Sequence, residues 1–180
     1  MGNEKYIAVF CSANNVAPKY VQPAEEFMSL MTKHGYNLVW GASDKGLMHV
    51  IANKIKEGGG KLIGVTIEFF KDVARKDADE IIMAKSLGER KTTMLNRGDA
   101  VIVLPGGIGT LDELMEILEL KKQGEHHKPV VVLNTDHFYT GLRDQLQQMH
   151  GEGFITKPLI DLVFFADAPQ QAMDYIEGHL

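Results

Sequence analysis

The sequence predicts one α/β domain, spanning residues 1–180, built on a doubly wound and mainly parallel sheet. Three observations predict it. Short β-branched runs alternate with longer amphipathic ones along the chain. Several short runs, Val101–Leu104 and Val130–Leu133 among them, are apolar at every position, the mark of a strand covered on both faces. The length of 180 residues suits a single domain, and no internal repeat, low-complexity tract or long linker divides it.

Taken in order, Ile7–Phe10 reads as a strand, followed by the small, polar loop Cys11–Ala17 and a helical pattern over Tyr20–His34. Asn37–Trp40 is the second strand; the glycine-bracketed stretch Gly41-Ala42-Ser43-Asp44-Lys45-Gly46 then leads into a helix over Leu47–Glu57. Leu62–Val65 is a third strand. The charged stretch Glu68–Asp79 lacks clear periodicity and reads as a surface loop or short helix before a strand at Glu80–Met83. Glu89–Arg97 is a helix stopped by Gly98. Val101–Leu104 is the fifth strand, Leu111–Lys122 a helix, Val130–Leu133 a strand and Thr140–Glu152 a helix. Leu162–Phe165 closes the set of strands, and a last helix starts at Pro169. Ligands of such sheets bind beyond the C-terminal ends of the strands, so the three loops at 11–17, 41–46 and 105–110 should converge on the chemistry.

Composition narrows the function. The chain is 44% hydrophobic and 24% charged with a net charge of −5, which gives no general attraction to nucleic acid or to a membrane surface. An anionic ligand must be held by a local site. The single cysteine, Cys11, excludes an internal disulfide and fits a reducing, cytoplasmic setting. Met1–Tyr6 runs into the first strand without a secretory hydrophobic region, Tyr6 breaks the myristoylation pattern, and no apolar run approaches the roughly 18 residues of a membrane span. His126-His127 stand in a polar connection that reads as exposed, and no His-x-x-x-His or Cys-x-x-Cys spacing exists, so neither a metal nor a cofactor is expected. Most of the nine methionines, such as Met28, Met31 and Met115, fall at core spacing.

The distinctive segment is Pro105-Gly106-Gly107-Ile108-Gly109-Thr110, which follows a buried strand and opens a helix. Glycines permit positive φ and a close ligand approach, and free N–H groups with the positive end of a helix dipole make an anion site. No Gly-Lys-Ser/Thr follows, so this is not a P-loop, and the third glycine of a dinucleotide fingerprint is missing. Thr110-Leu111-Asp112-Glu113 also matches a capping box, which would explain Thr110 and Glu113 without function. Arg90, Met94 and Arg97 share roughly one helix face. Arg97 and Lys91 read as solvated, whereas Arg90 near the helix start opposes the dipole unless an anion lies near.

Together, Glu89-Arg90-Lys91-x-x-Met94, Asp99-Ala100 and Pro105-Gly106-Gly107-x-Gly109-Thr110-x-x-Glu113 resemble the LOG family of cytokinin riboside 5′-monophosphate phosphoribohydrolases, long mislabelled lysine decarboxylases. Phe10-Cys11-Ser12, Gly46-Leu47-Met48, Gly58-Gly59-Gly60 and Gly153-Phe154-Ile155 extend the likeness over nearly the whole chain. The resemblance implies a Rossmann-like domain, usually a homodimer, that releases a free base and ribose 5-phosphate from a nucleoside 5′-monophosphate. It implies Arg90 and Glu113 as the catalytic pair, a phosphate cradle of Pro105, Gly106, Gly107, Gly109 and Thr110, and a pocket lined by Ser12 and Met94. The chain departs from the family at Ser12-Ala13-Asn14, at Gly41-Ala42-Ser43, where a run of three glycines is usual, and at Leu87-Gly88, where Met-His often stands. These changes touch the pocket walls and leave open whether the base is an N6-substituted adenine or a plain one, as in AMP. A non-catalytic nucleotide sensor or carrier on the same fold is the alternative. The apolar positions 111, 114, 115, 117, 118 and 120 exceed one stripe, which suggests a helix buried in the core and against a partner copy. No residue stands out as a general acid for the departing base, and none as the cofactor lysine of a decarboxylase.

Overall fold

A computed structural model describes residues 4–180; Met1–Asn3, where the reading of a chain start without a leader begins, lie outside the described residues. Seven strands form one sheet in the order β4-β3-β2-β1-β5-β6-β7, and every pairing is parallel. The strands are β1 (Lys5–Phe10), β2 (Tyr36–Trp40), β3 (Leu62–Ile67), β4 (Glu80–Ala84), β5 (Ala100–Val103), β6 (Val130–Leu133) and β7 (Phe164–Ala166). The helices are α1 (Pro18–Lys33), α2 (Gly46–Glu57), α3 (Leu87–Arg97), α4 (Ile108–Gln123), α5 (Thr140–Gly151), α6 (Leu159–Leu162) and α7 (Pro169–Glu177). The chain builds outward from β1 to β4, returns to place β5 beside β1, and then builds outward the other way. That reversal opens a crevice between the C-terminal ends of β1 and β5, where the two loops diverge.

Alternate residues of each central strand serve opposite faces. Ile7 and Val9 of β1 pack with Phe27, Met28 and Met31 of α1, Ile51 and Ile55 of α2, and Met173 and Ile176 of α7. Ala8 and Phe10 pack on the other face with Met94 and Leu95 of α3, Leu114 and Ile117 of α4, and Leu146 of α5. With both faces covered, the buried stretches Ile7–Phe10 of β1, Ala100–Val103 of β5 and Val130–Leu133 of β6 carry no polar side chain, which is why they read as unbroken apolar runs. Each fully buried large side chain, Phe27 or Ile51 for example, contributes about 1.5–3 kcal/mol relative to exposure.

The elements differ from expectation in a few places. The stretch predicted as a strand from Leu162 begins instead at Phe164, because Leu159–Leu162 winds into the short α6, which turns Leu162 into the core. The segment expected as a surface loop or short helix holds a 3₁₀ turn at Glu68–Val73. It is strapped across the loop after β2 by a bridge between Ser43 and Ala74 and by the Arg75 N–H donating to the Ala42 carbonyl at 2.8 Å. Met28 and Met31 are core as expected, but Met115 is 37% exposed on the outer side of α4. His126 is not exposed: its ring folds back so that one nitrogen meets the Ile117 carbonyl at 2.9 Å, and burial lowers its pKa. Among the described residues no helix is long and apolar enough to cross a membrane.

Candidate active site

A cavity of about 640 Å³ opens at the crevice, within the range of small-molecule sites. The three loops expected to converge do so: Ser12 and Asn14 after β1, Gly41, Ser43 and Lys45 after β2, and Gly107, Gly109 and Thr110 after β5 all line it. The first and third loops are tied together, with the Leu104 N–H donating to the Phe10 carbonyl at 2.9 Å and the Ser12 N–H to the Pro105 carbonyl at 3.4 Å.

The glycine loop works differently from its reading in sequence. The helix begins at Ile108 with Gly107 as its N-cap, a residue with no side chain to accept a bond. Thr110 therefore lies inside the first turn, and the Glu113 carboxylate reaches Arg90 and does not turn back to cap. The capping-box reading fails for that reason. Leu111 is the first N–H to find a main-chain acceptor at the helix start, the Gly107 carbonyl at 3.1 Å, so those before it are left for a ligand at the positive end of α4. None of Gly106, Gly107 and Gly109 has positive φ; their contribution is space. A Cβ on Gly106 would lie 2.2 Å from the Thr110 hydroxyl oxygen, while one on Gly107 or Gly109 would meet nothing within 4 Å.

Arg90 and Glu113 come together in the floor of the cavity. Helix α3 starts at Leu87, two residues earlier than expected, because Ser86 caps it: its Oγ accepts from the Glu89 N–H at 3.1 Å while the Glu89 carboxylate accepts from the Lys85 N–H at 2.8 Å. That phase turns Arg90 inward. Its Nε donates to the Val65 carbonyl at 2.9 Å, Nη1 to the Glu113 carboxylate at 3.0 Å and Nη2 to the Gly41 carbonyl at 3.1 Å. Three of five guanidinium N–H groups are thus committed to protein, and the anion that answers the helix-start cation is Glu113. Both residues are 7% exposed. Burial raises the Glu113 pKa from its ordinary value, with the Arg90 charge and hydrogen bond pulling against it.

A second clamp holds the two helices in register. The Lys91 ammonium, expected in solvent, is 12% exposed and binds the Asp112 carboxylate at 2.9 Å as well as Glu116. Hydrogen bonding to Glu116 raises its pKa, against desolvation. Arg97 does lie at the surface, in a forked pair with Glu80 at 2.8 and 2.5 Å.

Of the other residues singled out in sequence, Ser12 lines the cavity and its Oγ accepts from the Asn14 N–H at 3.0 Å. Pro105 and Gly106 sit behind the lining and shape the turn. Met94 is 1% exposed and belongs to the core beneath α3, because one helical turn past Arg90 the face has passed under the sheet edge of the cavity. Sequence reasoning missed Gly41. A Cβ there would stand 1.9 Å from Arg90 Nη2, so only glycine lets the guanidinium lie flat against the strand end. The next residue, Ala42, carries φ +62°, a left-handed conformation costing a side-chain-bearing residue about 1–2 kcal/mol. Among the described residues, no group of three or more His, Cys, Asp or Glu side chains is placed to hold a metal.

The model of a family described as possible lysine decarboxylase matches residues 48–176. The chain is 32% identical over 169 residues to a cytokinin riboside 5′-monophosphate phosphoribohydrolase of Mycobacterium tuberculosis, covering 93% of this chain and 90% of that one. A protein of the same name from Rhodococcoides fascians is 36% identical over 156 residues, covering 84% of this chain and 79% of that one. In fold, the chain is similar to a molybdenum cofactor binding protein from Rippkaea orientalis, with a TM-score of 0.75 at 22% identity over 98% of this chain and 97% of that one. On the family match and the two relatives, the chain belongs to the LOG family of phosphoribohydrolases.

Proposed function

We propose that the protein hydrolyses the N-glycosidic bond of a nucleoside 5′-monophosphate, releasing the free base and ribose 5-phosphate. One observation carries the reading: a helix N-terminus free to bind an anion and a buried, arginine-held carboxylate open into the same cavity. The N–H groups of 107–110 would receive the 5′-phosphate, with Ser12 closing the opposite side. That placement sets the ribose over Glu113, which lies just past the first turn of the same helix.

Cleavage builds positive charge on the ribosyl ring. The Glu113 carboxylate stabilises that charge and takes a proton from the water that attacks C1′, and the C1′–N electron pair leaves with the base. A carboxylate raised by burial is a stronger base than an exposed one, which suits this step. Arg90 keeps the carboxylate aimed, since its own fork is fixed on three sides. A carrier would need the cradle but would have no use for a carboxylate buried against its arginine.

The protein is further proposed to act in the cytoplasm as a homodimer, with no nucleic acid, membrane or cofactor involved. The dimer reading is supported by an apolar groove on α4 and α5, lined by Met115, Leu118, Met149 and Phe154, of which Phe154 is 79% exposed. Incubation with a panel of nucleoside monophosphates, with free base assayed by chromatography, tests the function. Release of base is expected, and tight binding of the same nucleotides without release would favour the carrier.

A further inference from the structure

Behind the glycine loop lies a residue that neither the motif nor the cavity lining includes. Tyr139, 3% exposed, follows β6 and sends its phenol across to β5, where it donates to the Leu104 carbonyl at 2.9 Å. Leu104 is the last residue before Pro105 and the glycines. Burial pushes the phenol pKa up, so it stays a neutral donor.

Much of the surrounding structure serves to hold this ring. The Asn134 side chain accepts from the Tyr139 N–H at 2.7 Å and donates to Asp167 at 3.1 Å, while the Asn134 N–H donates to the Ala166 carbonyl at 2.7 Å. The Phe138 ring meets Tyr139 edge-on with centroids 4.8 Å apart. Between Asn134 and Tyr139 the chain passes through two non-glycine residues with positive φ, Asp136 at 51° and His137 at 59°, and the Thr135 hydroxyl there and the Thr140 hydroxyl just beyond Tyr139 find no protein partner. A strained, incompletely satisfied segment persists where its neighbours over-determine it. What it delivers here is one hydroxyl at the root of the loop.

We infer that Tyr139 is a positioning residue for phosphate: its hydroxyl fixes the Leu104 carbonyl and thereby the angle at which the 105–110 loop leaves β5, aiming the first N–H groups of α4 at the ligand. The inference rests on reading that loop as a phosphate cradle. Tyr139→Phe keeps the ring and removes only the hydroxyl, leaving the Leu104 carbonyl buried and unpaired.

Calorimetric titration with ribose 5-phosphate and with ribose, and melting temperatures, separate the possibilities. Tyr36→Phe is the control, since its buried phenol bonds Glu177 at the opposite end of the sheet. Wild type and Tyr36→Phe should bind ribose 5-phosphate far better than ribose. Tyr139→Phe should weaken ribose 5-phosphate binding by about tenfold, the effect of one misplaced hydrogen-bonding loop, at a melting temperature close to the control's. If Tyr139→Phe does not fold, Asn134→Ala, which frees the ring's backbone but spares the phenol, should show a smaller loss of the same kind. Undiminished ribose 5-phosphate affinity in the folded variant overturns the inference. Wild type that does not prefer ribose 5-phosphate to ribose overturns the cradle itself, a distinguishable failure.

Discussion

Substituting alanine for Gly41 should disable the site from a distance, without touching any residue of the glycine motif. The added methyl would lie 1.9 Å from Arg90 Nη2 and 3.1 Å from its Cζ, and also 3.2 Å from the Met48 methyl. An arginine tip can ordinarily swing away from such a contact, but this one is buried and bonded at Nε, Nη1 and Nη2. To restore a normal separation the fork must move by more than about 1 Å, which breaks the 3.1 Å bond to the Gly41 carbonyl and tilts the 3.0 Å bond to Glu113. A hydrogen bond to a charged group contributes about 1.5–3 kcal/mol, and the Glu113 bond can partly re-form, so the cost is about 2–3 kcal/mol. In a chain of this size that lowers the melting temperature by about 4–12 °C. A carboxylate misplaced by about 1 Å should slow turnover about a hundredfold, while affinity for the phosphate end changes little. Scanning calorimetry and steady-state base release read the two effects. Gly41→Ala with wild-type turnover would refute the argument that Arg90 must lie flat against the end of β2 to aim Glu113.

Gly107→Ala should behave in the opposite way, with an unchanged melting temperature and a nucleotide affinity at least about tenfold weaker, because its methyl would meet only the ligand; calorimetric titration checks it. The acid limb of kcat/KM should lie above the ordinary carboxylate range, since burial raises Glu113 and activity needs it ionised. For stability the sign is reversed: a carboxyl raised in the folded state contributes fully below its unfolded pKa, and that contribution is lost as pH rises through the folded value. A pH–rate profile with its acid limb at or below the usual glutamate value would count against Glu113 as the base. Light scattering should give twice the chain mass, and Phe154→Asp should shift it towards the monomer by placing a charge in the α4–α5 groove.

The sheet was legible because burial on two faces removes polar residues from β5, β6 and the inner four residues of β1, a constraint written locally in each strand. The glycine loop at the crevice was legible for a related reason: three glycines between a buried strand and a helix mark a turn with little side-chain bulk, and Gly107 and Gly109 do line the cavity. What misled was a coincidence of local patterns. Thr110 to Glu113 has capping-box spacing, but the helix starts three residues earlier on Gly107, whose backbone alone does the capping. The real cap at Ser86–Glu89 is what turns Arg90 inward, and it went unread because the helix was started at Glu89. Lys91 and Gly41 were beyond sequence reasoning for a different reason. Their significance lies in contacts across 21 and 49 residues of chain, set only when α3, α4 and β2 meet at the switch point.

The most direct test of the central claim is base release by wild type and by Glu113→Gln, measured beside nucleotide affinity. Because Glu113 pairs with a buried arginine and is not a cap, the amide should keep the bond to Nη1 yet lose its charge, costing about 1–3 kcal/mol of stability. Wild type should release base from a nucleoside monophosphate. Glu113→Gln should bind that nucleotide at least as tightly, as a carboxylate near the phosphate is gone, and should release base about a hundredfold more slowly or worse. Base release by Glu113→Gln at the wild-type rate, or none by wild type despite tight binding, would contradict the account.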